Sequence, residues 1–239
     1  MQLDETLGAL ESQGLALRTF VQGVCPLLEI VHYVLSALLV REDFSRRWSV
    51  GNPIGSWLFT TTRCLSNLFI SHFLLGSVLS VDSGVLIDGL TDVTKLTKIT
   101  IIWGLVFFSP GDFFYELFAP RTPARQAFVL LKEVQRAHKV YLGWSEVPSA
   151  DSLTKFVSAA RGAGAGLIRN MQQILMGTGS LSTTNEFIHP STPAKIAIAS
   201  AAAFTFIDVN RNLTYLVVVH CVIAIKAAAL AGKPLLGLR

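Results

Sequence analysis

Charged residues are scarce in this chain. Only 15% of its 239 residues are Asp, Glu, Lys or Arg, whereas 51% are hydrophobic and the mean hydropathy is +0.51. Soluble domains carry about 25% charged residues, so this balance argues against an ordinary soluble enzyme and against a disordered tail. The 20 basic residues give a net charge of +4 without forming a polybasic block. The sequence therefore predicts a membrane protein with no nucleic-acid partner.

Motifs for catalysis and metal binding are also missing from the sequence. Cys25, Cys64 and Cys221 each lie in an apolar stretch and form neither a disulfide framework nor a CxxC pair, so we expect them to be small buried hydrophobic residues. No nucleophile constellation, HExxH motif, Walker loop or carboxylate pair appears. Asp112 is a lone acid that we expect to cap a helix or to form an ion pair. We therefore expect a protein that is not an enzyme.

Apolar runs predict an all-α integral membrane protein with seven transmembrane helices. The predicted spans are residues 17–40, 53–75, 96–118, 123–143, 153–176, 194–207 and 213–231. The first 17 residues contain no Lys or Arg, so the basic region of a cleavable signal is missing and the first span should remain in the mature chain. Seven spans allow two inverted three-helix repeats, at about 17–118 and 123–209, plus a seventh helix at about 213–231 in one transmembrane domain.

The distribution of Lys and Arg between the predicted loops sets the orientation. One side collects Arg41, Arg46, Arg47, Arg121, Arg125, Lys195, Lys233 and Arg239, and the other collects Lys95, Lys98 and Arg211. Because loops rich in Lys and Arg stay in the cytosol, we expect a cytosolic C-terminus and a lumenal or extracellular N-terminus.

The segment KEVQRAHK in the fourth span places three cations on one helix face. Lys132, Arg136 and Lys139 follow an i, i+4, i+7 spacing. They either snorkel to the headgroup layer or form a functional basic cluster that meets water, a carboxylate or a bound anion. We expect Glu133 to point to a different face, where it cannot neutralise both Lys132 and Arg136.

Glycines interrupt the second and fifth spans at corresponding positions of the two halves. The second opens with NPIGSW, which contains Gly55, and the fifth contains RGAGAG, in which Arg161 precedes Gly162 and Gly164. Such breaks indicate either an ion pathway at the repeat interface or close helix packing. Other polar residues in the spans are Glu29, His32, Arg63, Asn67, His72, Arg169, Asn170 and Lys226. For His32, His72 and Lys226 a packing role is the favoured interpretation.

Several of these segments together resemble the trimeric intracellular cation channel family of endoplasmic and sarcoplasmic reticulum. The similar segments are NPIGSWL, FSPGDFFY, KEVQRAHK followed by Gly143, RGAGAG leading to Asn170, and TNEFIHPSTPAK. They occur in the family's order across most of the chain, and KEVxRxxK is the most specific of them.

The resemblance implies a homotrimer in which each protomer contains its own pore. It implies a potassium-preferring flux that balances charge during calcium release from the endoplasmic or sarcoplasmic reticulum. It also implies that a phosphoinositide, phosphatidylinositol bisphosphate, binds at Lys132 and Arg136. The pore or gating candidates are Gly55, Arg161, Gly162, Gly164, Asn170 and Lys139.

Two alternatives to this interpretation remain open. The basic helix could be a voltage-sensing element that moves relative to lumenal acids such as Asp82, Asp88 and Asp92. The whole chain could also be a secondary transporter with inverted repeats or a lipid-binding structural membrane protein. Saturable, coupled flux would indicate a transporter, whereas single-channel steps indicate a channel.

Overall fold

The computed structural model describes residues 2–70, 91–145, 152, 155–156, 164–177, 191–207 and 210–232. These residues form helices, turns and bends without any β-strand, which confirms the predicted all-α class. The helices are α1 (Gln2–Gly23), α2 (Cys25–Asp43), α3 (Arg46–Gly51), α4 (Pro53–Cys64), α5 (Val93–Phe108), α6 (Phe113–Leu117), α7 (Pro123–Ser145), α8 (Gly164–Leu175), α9 (Thr192–Phe206) and α10 (Arg211–Leu230).

The predicted first span at 17–40 is not one continuous helix, because the structure has two helices there. Helix α1 begins at Gln2, and it is separated from α2 by a bend of 62° at Val24. Pro26 explains the break, since proline has no N–H to continue the helical ladder and its ring clashes with the carbonyl of the residue four positions earlier.

Helix α4 begins where the sequence places capping residues. The Asn52 side chain accepts a hydrogen bond of 3.0 Å from the Gly55 N–H, and Pro53 occupies the first helical position. This is a favourable helix start, because the cap satisfies a free donor and proline lacks one. The helix ends at Cys64, and residues 66–70 are again helical.

The predicted third span at 96–118 is also divided in the structure. Helix α5 ends at Phe108, a 3₁₀ turn spans Pro110–Asp112, and α6 follows. Gly111 and Asp112 have φ values of 60° and 59°. Proline at 110 and two consecutive residues with positive φ end the α-helical ladder here.

The fourth, sixth and seventh predicted helices agree with α7, α9 and α10 to within a few residues. Of the fifth predicted span, 153–176, the structure describes α8 and little of the preceding part.

Within the described residues, Arg211–Leu230 alone is long and apolar enough to cross a membrane by itself, with a mean hydropathy of 2.1. The bent pair Glu5–Gly23 and Cys25–Asp43 gives a second candidate if it acts as one span. The seven spans and the inverted repeat therefore stay predictions.

The chain divides into two compact units. One contains residues 1–28, 130–162 and 192–239, and the other contains residues 29–129 and 163–191. In the first unit, α10 packs against both α1 and α9. The second unit has a hydrophobic core to which α2, α4 and α5 contribute, with Leu38, Ile99 and Val106 fully buried. We call these the first and second units below.

Candidate functional site

The three cations of KEVQRAHK lie in the part of α7 that belongs to the first unit. Lys132, Arg136 and Lys139 are all half-buried. The side chain of Arg136 is 12% exposed and pairs through Nη1 with Oε2 of Glu133. This guanidinium is largely desolvated and already has an anionic partner. Its position therefore differs from that of an arginine that snorkels to the headgroup layer.

The expected orientation of Glu133 is wrong. Its side chain is 3% exposed and contacts Arg136, three residues later on the same helix. Positions i and i+3 are neighbours on a helix surface, so the sequence spacing of Glu133 and Arg136 is compatible with this ion pair. Glu133 is therefore the anionic partner of Arg136 within α7.

Lys226 reaches the same carboxylate from helix α10. Its Nζ atom lies 4.0 Å from Oε1 of Glu133, and its side chain is 20% exposed. The sequence favoured a packing role for Lys226, and this contact with Glu133 was not predicted. We call Glu133, Arg136 and Lys226 the Glu133 cluster.

Several aromatic side chains pack on the buried side of α7, within a few residues of Glu133 and Arg136 in the sequence. Nδ1 of His138 is 3.0 Å from the hydroxyl of Tyr215, and Arg18 Nη1 donates a 2.8 Å hydrogen bond to the hydroxyl of Tyr141. Tyr215 is completely buried. These contacts tie α7 to α10 and α1, so the position of the basic face is fixed by packing.

The second unit contains a buried charge network that the sequence only partly revealed. Arg63, 2% exposed, lies 2.9 Å from Oδ2 of Asp43 through Nη1. Arg169 binds both oxygens of the same carboxylate, at 2.9 and 2.6 Å. Arg63 and Arg169 were noted as polar residues of the spans, whereas Asp43 was missed. Two cations share one anion, and we call these three residues the Asp43 cluster.

Gln172 completes the hydrogen bonding of Arg63. Its Oε1 accepts from Nε of Arg63 at 3.0 Å, and its Nε2 donates to the carbonyl of Phe59 and the hydroxyl of Thr62, both at 2.8 Å. Every polar atom of the Gln172 amide thus has a partner, as a buried network requires.

The glycine candidates differ in their surroundings. Gly55 lies in the capped first turn of α4, where an added Cβ would be 2.8 Å from Asn52 Nδ2. Gly164 is buried at the start of α8, where a Cβ would be 2.8 Å from Ile70 Cγ1. Both glycines permit close contacts. Arg161 and Gly162 lie outside the described residues.

Asn170 is half-buried, and its Nδ2 is a buried donor that has no hydrogen-bond partner among the residues that the structure describes. An unsatisfied buried donor costs about 1–3 kcal/mol, so Asn170 differs from the satisfied polar residues around Gln172. This observation is compatible with its proposed place in the ion pathway, which stays a prediction.

Two acidic residues singled out by the sequence have local roles. Asp112 forms the expected ion pair, with Arg41 Nη2 at 2.9 Å, but its side chain caps no helix. Asp92 caps α5, and the hydrogen bond from the backbone N–H of Lys95 lowers the pKa of its carboxyl group.

The three cysteines do not share the burial expected for them. Cys64 is buried and Cys25 is half-buried, but Cys221 is exposed. The expectation is wrong for Cys221, which lies on an outward face of an apolar helix. An apolar setting in the sequence identifies a membrane helix without telling which side of that helix faces the protein.

The fold is similar to that of a solved ion channel. A trimeric intracellular cation channel from C. elegans, solved in the absence of Ca²⁺, superposes with a TM-score of 0.77 at 28% identity, covering 94% of this chain and 97% of that one. The TRIC channel family model matches residues 43–232. The chain belongs to the TRIC channel family.

Curated relatives agree with this assignment. Trimeric intracellular cation channel type 1B.1 of Caenorhabditis elegans is 30% identical over 217 residues, which cover 85% of this chain and 70% of that protein. The human type A channel is 30% identical over 206 residues, which cover 84% of this chain and 66% of the relative.

Proposed function

We propose that this protein is a homotrimeric, potassium-preferring channel of the endoplasmic or sarcoplasmic reticulum membrane that supplies counter-ion flux during calcium release. The observation that supports it best is membership of the TRIC channel family, whose model covers residues 43–232. The relatives named above are trimeric intracellular cation channels, and we extend their assembly and intracellular location to this chain.

A phosphoinositide is the proposed ligand of Lys132 and Arg136. Both side chains lie on one half-buried face of α7, and the predicted orientation puts this part of the helix in the cytosolic half. Two cations one helical turn apart suit a multiply phosphorylated ring, because charge-assisted hydrogen bonds to phosphate are strong.

A bound anionic lipid also removes an electrostatic difficulty. A pathway lined by Lys132, Arg136 and Arg161 would repel potassium ions. A phosphoinositide headgroup in contact with Lys132 and Arg136 turns the local potential negative. The lipid would then contribute to conduction as well as to stability.

Purified protein in a planar bilayer containing phosphoinositide tests the channel assignment. We expect single-channel steps that are carried by potassium. Saturable flux coupled to a second substrate would identify a transporter instead, and the lack of both would leave a structural or lipid-binding role.

Substitution of both Lys132 and Arg136 by Ala tests the lipid site. Each lost charge-assisted contact is worth roughly 1.5–3 kcal/mol, so phosphoinositide affinity should fall at least about tenfold and channel activity should decrease. Native mass spectrometry of the trimers counts the bound lipid, with Lys139→Ala as a control that should retain more of it. Equal lipid retention by the wild type and the double variant would contradict the assignment.

Protease protection on sealed microsomes tests the orientation. A C-terminal tag should be digested by external protease, because the basic loops are expected in the cytosol. A protected tag would reverse the predicted topology.

A further inference from the structure

Glu133 is a buried carboxylate held between cations of two helices. Its side chain is 3% exposed, Oε2 pairs with Arg136 of α7, and Oε1 lies 4.0 Å from Lys226 of α10. A carboxylate with so little access to water must keep a cationic partner, since an unpaired buried charge is strongly unfavourable.

The two carboxylate oxygens are used separately. Arg136 approaches Oε2 and Lys226 approaches Oε1, so Lys226 can come closer without displacing Arg136. The ammonium group is at the outer limit of an ion pair, and the four-carbon stem of lysine is flexible. A shift of about 1 Å would bring Nζ to hydrogen-bonding distance of the carboxylate.

We infer that Glu133 holds Arg136 when the lipid site is empty, and that Lys226 becomes the main counter-ion of Glu133 when a phosphoinositide engages Arg136. This inference rests on the proposed lipid site. It makes Glu133 an internal competitor of the lipid phosphate, and it makes Lys226 a positioning residue that acts through Glu133 and does not touch the lipid.

The charge of the cluster supports this division of roles. Arg136 and Lys226 carry two positive charges against the single negative charge of Glu133, so the cluster retains one positive charge for an external anion. Without Lys226, Arg136 and Glu133 would neutralise each other. A phosphate at Arg136 would then leave the buried carboxylate without its cation, which opposes lipid binding.

A double-mutant cycle on Glu133 and Lys226 tests the inference. The ligand is dioctanoyl phosphatidylinositol 4,5-bisphosphate, and its dissociation constant is measured on purified trimer in detergent. We expect Lys226→Met to weaken binding and Glu133→Gln to strengthen it, each by about threefold or more, because the two residues are coupled through the Glu133 carboxylate. In the double variant, binding should lie within about twofold of Glu133→Gln alone, because the acid that required Lys226 is gone.

Two matched variants separate position from general charge. Lys195→Met removes the same charge from an exposed position of α9 and should leave the affinity within about twofold of wild type. Lys226→Arg keeps a cation beside Glu133 and should retain wild-type affinity. Size-exclusion chromatography confirms that each variant is still a trimer, and Lys226→Arg keeps the test informative where Lys226→Met does not fold.

Three results would overturn the inference. The first is equal weakening by Lys226→Met with and without Glu133→Gln, which would show that Lys226 contacts the headgroup directly. The second is Glu133→Gln weakening the binding, and the third is an equal effect of Lys195→Met and Lys226→Met. A different result would contradict the proposed lipid site itself, namely undiminished phosphoinositide binding by the double variant Lys132→Ala, Arg136→Ala.

Discussion

Replacement of Asp43 by Asn should destabilise the protein more than replacement of either arginine that Asp43 binds. One carboxylate serves both Arg63 and Arg169. The substitution preserves the shape of the side chain but leaves two guanidinium groups without an anion. Because Arg63 is only 2% exposed, water cannot compensate for the loss.

The size of each effect follows from burial. Removing one partner of a buried ion pair costs about 3–5 kcal/mol, which we expect for Asp43→Asn. The Arg169 side chain is 44% exposed, so its pair is screened by water and Arg169→Gln should cost about 0–1 kcal/mol. Arg63→Met removes the buried cation itself, while Asp43 keeps both bonds from Arg169. Its cost should be about 1–3 kcal/mol, mainly from the unpaired Gln172 carbonyl.

Thermal unfolding of the purified protein in one detergent ranks the stabilities of the variants. Unfolding is monitored by near-ultraviolet circular dichroism. At about 2–4 °C per kcal/mol for a chain of this length, Asp43→Asn should lower Tm by roughly 6–20 °C. Adding Arg63→Met to Asp43→Asn should recover part of that loss, because the stranded charge is removed. Equal Tm values for Asp43→Asn and Arg169→Gln would refute this role of Asp43, and so would a double variant that is less stable than Asp43→Asn alone.

Four glycine substitutions give further tests. Gly14→Ala would place a Cβ 2.1 Å from the carbonyl oxygen of Asn212, so it should destabilise the packing of α1 on α10 by about 1–3 kcal/mol. Gly8→Ala on the same helix meets nothing within 4 Å and should raise stability by up to about 1 kcal/mol, and a Tm for Gly14→Ala equal to that of Gly8→Ala would contradict the close contact. Gly164→Ala alone should lower Tm by forcing Ile70 to move. Combined with Gly162→Ala, it should also reduce the current in a planar bilayer while the trimer stays intact, and unchanged current would leave both glycines with a packing role.

The sequence predicted best what is encoded locally. The fourth helix was expected at 123–143 and is observed at Pro123–Ser145, because proline at the first helical position and an amphipathic pattern of helical period define it without help from other segments. The break between α1 and α2 was not predicted, although Pro26 lies there, because the long apolar run was interpreted as one continuous span. The all-α class and the family needed only hydropathy and short motifs.

The Asp43 cluster could not be predicted from the sequence. Asp43 lies 20 residues from Arg63 and 126 residues from Arg169, and no spacing rule connects positions so far apart. The link between Glu133 and Lys226 was missed for the same reason. The Glu133–Arg136 pair is different, because an i, i+3 acid and base on one helix is a local signal that was available and was misjudged.

The end of α2 shows how internal ion pairs affect the orientation argument. Its last three residues are charged, and Arg41 pairs with Asp112 while Glu42 pairs with Arg125. Arg41 and Arg125 are two of the eight basic residues assigned to the cytosolic side. Because both form ion pairs within the protein, their charges are partly neutralised. On the predicted lumenal side, Lys95 pairs with Asp92. If all three cations are omitted, six basic residues remain against two, and the predicted orientation is unchanged because the rule depends on this bias in Lys and Arg.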